Sequence, residues 1–412
     1  MAVLSRLLLV LIASVLVVAT PAQSLAAEVP ALPSVKPSEA GFDEAVLQPI
    51  DELVARGIAD HKMPGCVIAF GTSKQLAWLK AYGNQRVEFE GKPAVAMTTD
   101  TVFDLASLTK PIATGTSIML LVQDGKLKID EPVATYLPAF VQTGEENADA
   151  AKQQVTVRQL LIHTSGQIAD NSIRDYEQGV TEAEKRLLAL KPRTPPGENF
   201  TYSDVNFITL GLIIRQLSGQ NVHEFSQARI FQPLGMKDTT YIPAPALRER
   251  AAPTERRNGV WMQGEVHDPR AYKLDGIAGH AGLFSTAQDL SKYAAAMLQR
   301  GTYQGVKIME PATWQEMTKG NRIPGRRNNG EAYQGLRGLS WDMQSGFSTN
   351  GGTARSDAAF GHGGFTGTVI WMDPEQDWFF IFLSNRVHPN GKGSVNPLAG
   401  EIATLVAKAR KK

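Results

Sequence analysis

Apolar, β-branched runs lie near both ends of this chain with a long helix-patterned stretch between them, and that distribution limits how it can fold. Cys66 to Gly71 and Leu76 to Tyr82 read as two strands joined by the polar turn Thr72–Gln75. Gly367 to Met372 and Trp378 to Leu383 read as a hairpin across Asp373–Asp377. The middle, from about Ser107 to Tyr272, is patterned for helices: Val157 to Ile162 follows the cap Thr156, and Phe207 to Leu217 stops at Gly219. Flanking helices are expected from Asp43 to Ile58, after the capping-box pattern Thr286–Asp289, and over about Pro397 to Lys408. Strands at both ends with helices between imply one sheet interrupted by a helical insertion. The α/β part is expected over about 43–106 and 280–412, and the insertion over about 107–279.

The first 27 residues are set apart from that fold. A short basic start ending at Arg6, an apolar run from Leu7 to Ala19 and small residues up to Ala27 have the three parts of an export signal. A spanning helix needs about 20 apolar residues, and Pro21 interrupts this run too soon. The expected mature chain is therefore 28–412, periplasmic or secreted and without a stable membrane anchor. Cys66 is the single cysteine, so no intramolecular disulfide and no thiolate metal cluster can form. With 42 basic against 41 acidic residues and basic clustering only at the C-terminus, nothing points to nucleic acid.

Common catalytic signatures are missing. The chain has no Gly-x-Ser-x-Gly, His-Glu-x-x-His, Cys-x-x-Cys or phosphate loop, which disfavours an α/β-hydrolase, a zincin and a P-loop enzyme. It does contain one Ser-x-x-Lys, Ser107 to Lys110, and on a helix that spacing puts hydroxyl and amine on one face. Alone, the pattern reads equally as a capped helix start. Pro111 and the apolar residues after it bury the lysine, and a lysine serving as base must be neutral. That means bringing its pKa down by about 3 from ~10.4, which burial can supply. Tyr202, in Phe200–Phe207, sits before a helix with Ser203 or Asp204 as its cap. Gly363 and Gly364, after His362, let a ligand approach a strand start closely, or form a bulge.

Taken in order, Ser107-x-x-Lys110, Tyr202-Ser203-Asp204 and His362-Gly363-Gly364 resemble the three motifs of class C β-lactamases and low-molecular-mass penicillin-binding proteins. The resemblance extends to Pro64-Gly65, His163 to Gly166, Gly279 to Ser285 and Ser384 to Pro389, so it covers almost the whole mature chain. It implies an antiparallel sheet flanked by helices, an inserted mostly helical domain, and an active site between them. It implies Ser107 as nucleophile, Lys110 and Tyr202 sharing proton transfer, and the backbone N–H groups of Ser107 and Phe365 as oxyanion hole. Asp204, His362, Gly363 and Gly364 would contact substrate. The family includes D,D-peptidases and esterases, so the expected partner is a small-molecule or peptide substrate, peptidoglycan stem peptides among them, with no cofactor and no metal.

Two departures bear on substrate. Many members have asparagine where this chain has Asp204, and β-lactamases have Lys-Thr-Gly where it has His362-Gly363-Gly364. A histidine with a pKa near ~6.5 is largely neutral at pH 7 and attracts a carboxylate less than lysine does. The expectation is weak β-lactamase activity and a better fit to D-alanyl peptides or esters, with specificity in loops such as Gln167–Gly179 and Asn321–Tyr333. Two rival readings are a non-catalytic scaffold and a metal hydrolase built on His267, Asp268 and His280.

Overall fold

The computed structural model describes residues 29–89, 91–326, 330–391 and 393–411; the segment read as an export signal lies outside them. Its centre is a nine-stranded sheet. From one edge the strands run Asn321–Arg326, Ala332–Arg337, Asp342–Gln344, Phe360–Gly364, Thr368–Asp373 and Trp378–Ser384. Gly65–Gly71, Leu76–Arg86 and Val95–Ala96 complete it. Every neighbouring pair is antiparallel. The two chain ends meet where Cys66 pairs with Ser384 and Gly71 with Phe379.

Both faces of the central strands are covered, which is why these strands read as continuous apolar runs and not as alternating ones. Cys66, Ile68, Phe70, Trp371, Phe380 and Phe382 pack under the helices Ile50–Ala59 and Asn396–Ala409. Val67, Ala69, Ile370, Met372, Ile381 and Leu383 point the other way, into a larger core with the helix Ala287–Leu298 and the central helices. The period of two along each strand sorts these side chains between layers.

Local chemistry decides the helix boundaries. Thr156 caps Val157–Leu161 in a reciprocal capping box with Gln159, and Gly219, in the left-handed conformation, ends the Asp204–Ser218 helix capped by Ser203. The helix expected to run unbroken from Asp43 divides into Glu44–Leu47 and Ile50–Ala59, because Pro49 has no N–H to continue the ladder. At the Thr286 cap the box is incomplete: Asp289 accepts instead from the Asp238 N–H and the Thr239 hydroxyl. The stretch Asn321–Tyr333, expected as a loop, supplies two paired strands at the sheet edge. Among the described residues, no helix is long and apolar enough to cross a membrane.

Candidate active site

Ser107 stands between the sheet and the helical layer. The short strand Phe103–Asp104 pairs with Phe284–Ser285, and the Leu105 N–H donates to the Leu283 carbonyl. Ala106 then takes a left-handed backbone, φ 45°, held by a hydrogen bond from its N–H to the Asp104 carboxylate at 2.8 Å. That sharp turn projects Ser107. The other Asp104 oxygen accepts from the His267 N–H at 2.6 Å, and burial raises the pKa of this carboxyl. Ser107 and Lys110 were expected on one α-helix. Instead Ala106–Leu108 is a 3₁₀ turn, Lys110–Gly115 a π turn around Pro111, and only Thr116–Gln123 is α-helical. The side chains still meet, with Lys110 Nζ 2.9 Å from Ser107 Oγ.

The second element comes from the turn before the Asp204 helix. His163, itself at φ 61°, accepts the Ser203 N–H on Nδ1 at 3.0 Å, and its carbonyl accepts the Thr201 N–H. Its ring stacks on Tyr202 with centroids 4.5 Å apart. His163 thus grips the segment on both sides of Tyr202 and so aims the phenol. The Tyr202 ring lies 5.0 Å from Lys110 Nζ.

Asp204 was expected to face substrate, but it pairs with Lys110, Nζ to Oδ1 at 2.6 Å, and is absent from the cavity wall described below. The fully buried ammonium also donates to the His280 carbonyl at 3.1 Å. Two hydrogen-bond acceptors and a carboxylate at ion-pair distance suit an ammonium. Burial pushes the Lys110 pKa down, but Asp204 and Tyr202 outweigh it and the net direction is up. The expectation that burial would leave this lysine neutral is therefore overturned by its ion pair.

The third element is the strand Phe360–Gly364. Thr366 and Thr368 donate from their hydroxyls to the carbonyls of Asp104 and Leu105, at 2.7 and 3.0 Å, tying the turn after this strand to the segment that presents Ser107. A Cβ at Gly364 would come within 2.5 Å of the Leu105 carbonyl oxygen, so only glycine allows that approach. His362 Nδ1 lies 2.8 Å from the Gly363 carbonyl. Burial, then Arg337 and Lys110, holds His362 well below the usual histidine range; burial and the same two cations do so for His163. Phe365 leaves its ring 60% exposed, stacked on His267 at 5.6 Å and 4.5 Å from the Arg386 guanidinium.

These elements enclose a cavity of about 290 Å³. Ser107, Tyr202, His362, Gly363, Gly364 and Phe365 line it, joined by Arg337, Asp342, Phe347, Asn350 and Arg386, which reading the sequence did not single out. Four of those five fall between Arg337 and Asn350, and Arg386 lies in the Ser384–Pro389 segment; no local pattern marks them as one wall, which only folding assembles. Arg337 is fully buried; among the described residues its Nε and Nη2 have no hydrogen-bond partner and its one carboxylate contact is Asp342 at 3.4 Å. Asp342 is already held by the Ser345 and Ser348 hydroxyls at 2.6 and 2.8 Å.

The histidine and aspartate groups divide. His267 pairs with Glu255 at 2.6 Å, away from Asp268 and His280, which pair with each other at 2.9 Å. Burial opposes ionisation of Asp268, but His280 and the Ala271 N–H keep its carboxyl well below the usual range. Ligating atoms of Asp204, Asp268 and His280 do lie within 4.8 Å of one another. A metal ion there would compete with the Lys110 ammonium for Asp204, and His267 would not take part.

The chain is 31% identical over 378 residues to a Bacillus subtilis protein named N-acetylmuramyl-L-alanine amidase, covering 85% of this chain and 83% of that one. A Salmonella typhimurium protein with a provisional D-alanyl-D-alanine carboxypeptidase name is 29% identical over 404 residues, 91% of this chain and 90% of the other. Among solved structures, a penicillin-binding protein homologue from Caulobacter crescentus superposes with a TM-score of 0.68 at 21% identity, over 90% of this chain and 99% of that one. A class C β-lactamase superposes with a TM-score of 0.70 at 16% identity, over 90% and 98% of the two chains. The Beta-lactamase family model matches residues 50–404, and with the fold shared as well, this chain belongs to the β-lactamase family of hydrolases.

Proposed function

We propose that this protein is an exported serine hydrolase that forms an acyl-enzyme on Ser107 and acts on amide or ester bonds of peptidoglycan-derived peptides, with β-lactams as poor substrates. The observation that carries the reading is the 2.9 Å contact between Ser107 Oγ and Lys110 Nζ at the wall of a cavity that Gly363, Gly364 and Phe365 close from the other side. Attack on a carbonyl requires the Ser107 proton to leave, yet the resting lysine is an ammonium. A proton shift from Lys110 to Asp204, 2.6 Å away, yields a neutral amine and a neutral acid without separating charge across the site. The amine then takes the serine proton, and Tyr202 relays it to the leaving group. The N–H groups of Ser107 and Phe365 would receive the developing oxyanion, each such donor contributing about 3–4 kcal/mol. The names carried by the two relatives, N-acetylmuramyl-L-alanine amidase and D-alanyl-D-alanine carboxypeptidase, support the substrate class. Neutral His362 in place of a lysine supports slow turnover of penicillins.

The test is intact-protein mass after exposure to a fluorophosphonate and, separately, to a penicillin. The expected result is an adduct with each reagent that Ser107→Ala abolishes, the penicillin adduct persisting. Absence of any adduct on folded protein would leave a non-catalytic scaffold, and rapid release of hydrolysed penicillin would refute the substrate ordering.

A further inference from the structure

A second, larger cavity of about 830 Å³ opens beside the first, and Phe347 belongs to the walls of both. One side is the turn Gly197–Phe200, which leads directly into Tyr202; the other is the hairpin Asn321–Arg326 and Ala332–Arg337 at the sheet edge. A molecule whose carbonyl reaches Ser107 can therefore extend into this groove without leaving the surface.

Its lining has a consistent chemistry. Phe200, Tyr333 and Phe347 provide aromatic faces; Phe347 is 51% exposed and stands edge-on to Phe200 at 6.0 Å. Tyr333 is fixed at both ends. Its hydroxyl accepts the Gly346 N–H at 3.1 Å, and its ring covers Gly325, where a Cβ would come within 2.5 Å of it. Between the rings lie planar polar groups, Glu198, Asn199, Arg322 and Gln334, of which Arg322 donates to Gln334 at 2.7 Å. Among the described residues the lining holds one acid, Glu198, and one base, Arg322.

Aromatic rings along a groove wall bind the C–H faces of a flat apolar surface, and neighbouring amide, carboxylate and guanidinium groups bind hydroxyls and amides around its edge. A saccharide ring with N-acyl substituents has that character. An extended peptide adding to the edge strand is the competing occupant, but Pro324 removes an N–H donor from that strand. The volume lies in the range of about 300–1,000 Å³ usual for ligand sites.

We infer that this groove binds the N-acylated saccharide portion of a glycopeptide whose peptide carbonyl is presented to Ser107. The inference rests on the proposed hydrolase reading for its orientation. The experiment measures binding to Ser107→Ala protein of three probes by titration calorimetry: the trisaccharide of N-acetylglucosamine, N-acetylmuramyl-L-alanyl-D-isoglutamine, and the same dipeptide without sugar. The trisaccharide is expected to bind saturably, and the sugar-bearing peptide at least about tenfold tighter than the bare peptide. Tyr333→Ala and, independently, the surface change Gln334→Ala should each remove most of that advantage. Equal affinity for the two peptides, or a Tyr333-dependent site for the bare peptide alone, overturns the saccharide assignment. Fluorophosphonate labelling of Ser107 in the otherwise unaltered protein reports on the hydrolase reading separately, so the two can fail independently.

Discussion

Lys110 and Arg337 are both fully buried cations near Tyr202, and they have opposite environments. Lys110 finds Asp204, Ser107 and the His280 carbonyl around one nitrogen, and its pKa moves up against burial. Among the described residues Arg337 meets one carboxylate, Asp342 at 3.4 Å, lies 5.6 Å from the Phe200 ring centroid, leaves Nε and Nη2 without hydrogen-bond partners, and its pKa moves down with burial. Burial is common to both, so pairing decides the outcome. One side of the site is a charge-compensated ion pair that can hold and pass a proton. The other is an under-satisfied positive wall that, second to burial and together with Lys110, holds His163 and His362 below the usual histidine range.

The largest expected effect belongs to the charge-compensated side. Ser107→Ala should lower steady-state turnover of an activated ester by about 10⁴-fold or more, measured against the uncatalysed rate; retention of most activity would remove Ser107 from the chemistry. Next comes stability under urea. Lys110→Met strands the Asp204 carboxylate and should cost about 3–5 kcal/mol, whereas Arg337→Met removes two unpaired donors and leaves Asp342 bonded to two serines, so its change should stay within about 1 kcal/mol. Equal losses in the two variants would break the comparison.

The positive wall has its own pH signature. His163 and His362 have depressed pKa values when folded, so the unfolded chain binds more protons as pH falls through about 6.5. Stability should therefore drop as pH is lowered from 7.5 to 5, by up to about 1.4 kcal/mol per pH unit for each histidine. His362→Asn should flatten that slope in denaturation curves, and an unchanged slope would mean the histidine does not titrate on unfolding. Smallest is Asp204→Asn, which removes the charge that keeps Lys110 protonated. Burial then dominates, and the acid limb of the acylation profile should move about one pH unit or more lower. A fixed limb would assign the base to Tyr202.

Local sequence carried much of this. The strands on both sides of the chain ends, the caps Thr156, Ser203 and Thr286, and the stop at Gly219 were legible because each depends on neighbours within a few residues. The Ser107 and Lys110 contact was legible as spacing even though the helix type was not, since 3₁₀ and π turns leave little mark on composition. Lys110's protonation was misread because burial is visible in an apolar run, while a carboxylate arriving from ninety-four residues downstream is not.

What the sequence determined by itself is the set of elements and the identity of the chemistry-bearing groups, through periodicity, caps and short motifs. What only the tertiary structure decided is charge and access: that Asp204 turns to Lys110, that His267 and His280 take different partners, and that Arg337, Phe347 and the edge hairpin form one continuous surface with the site. The reason is that electrostatic state and cavity shape depend on distances across the chain, which no local pattern encodes.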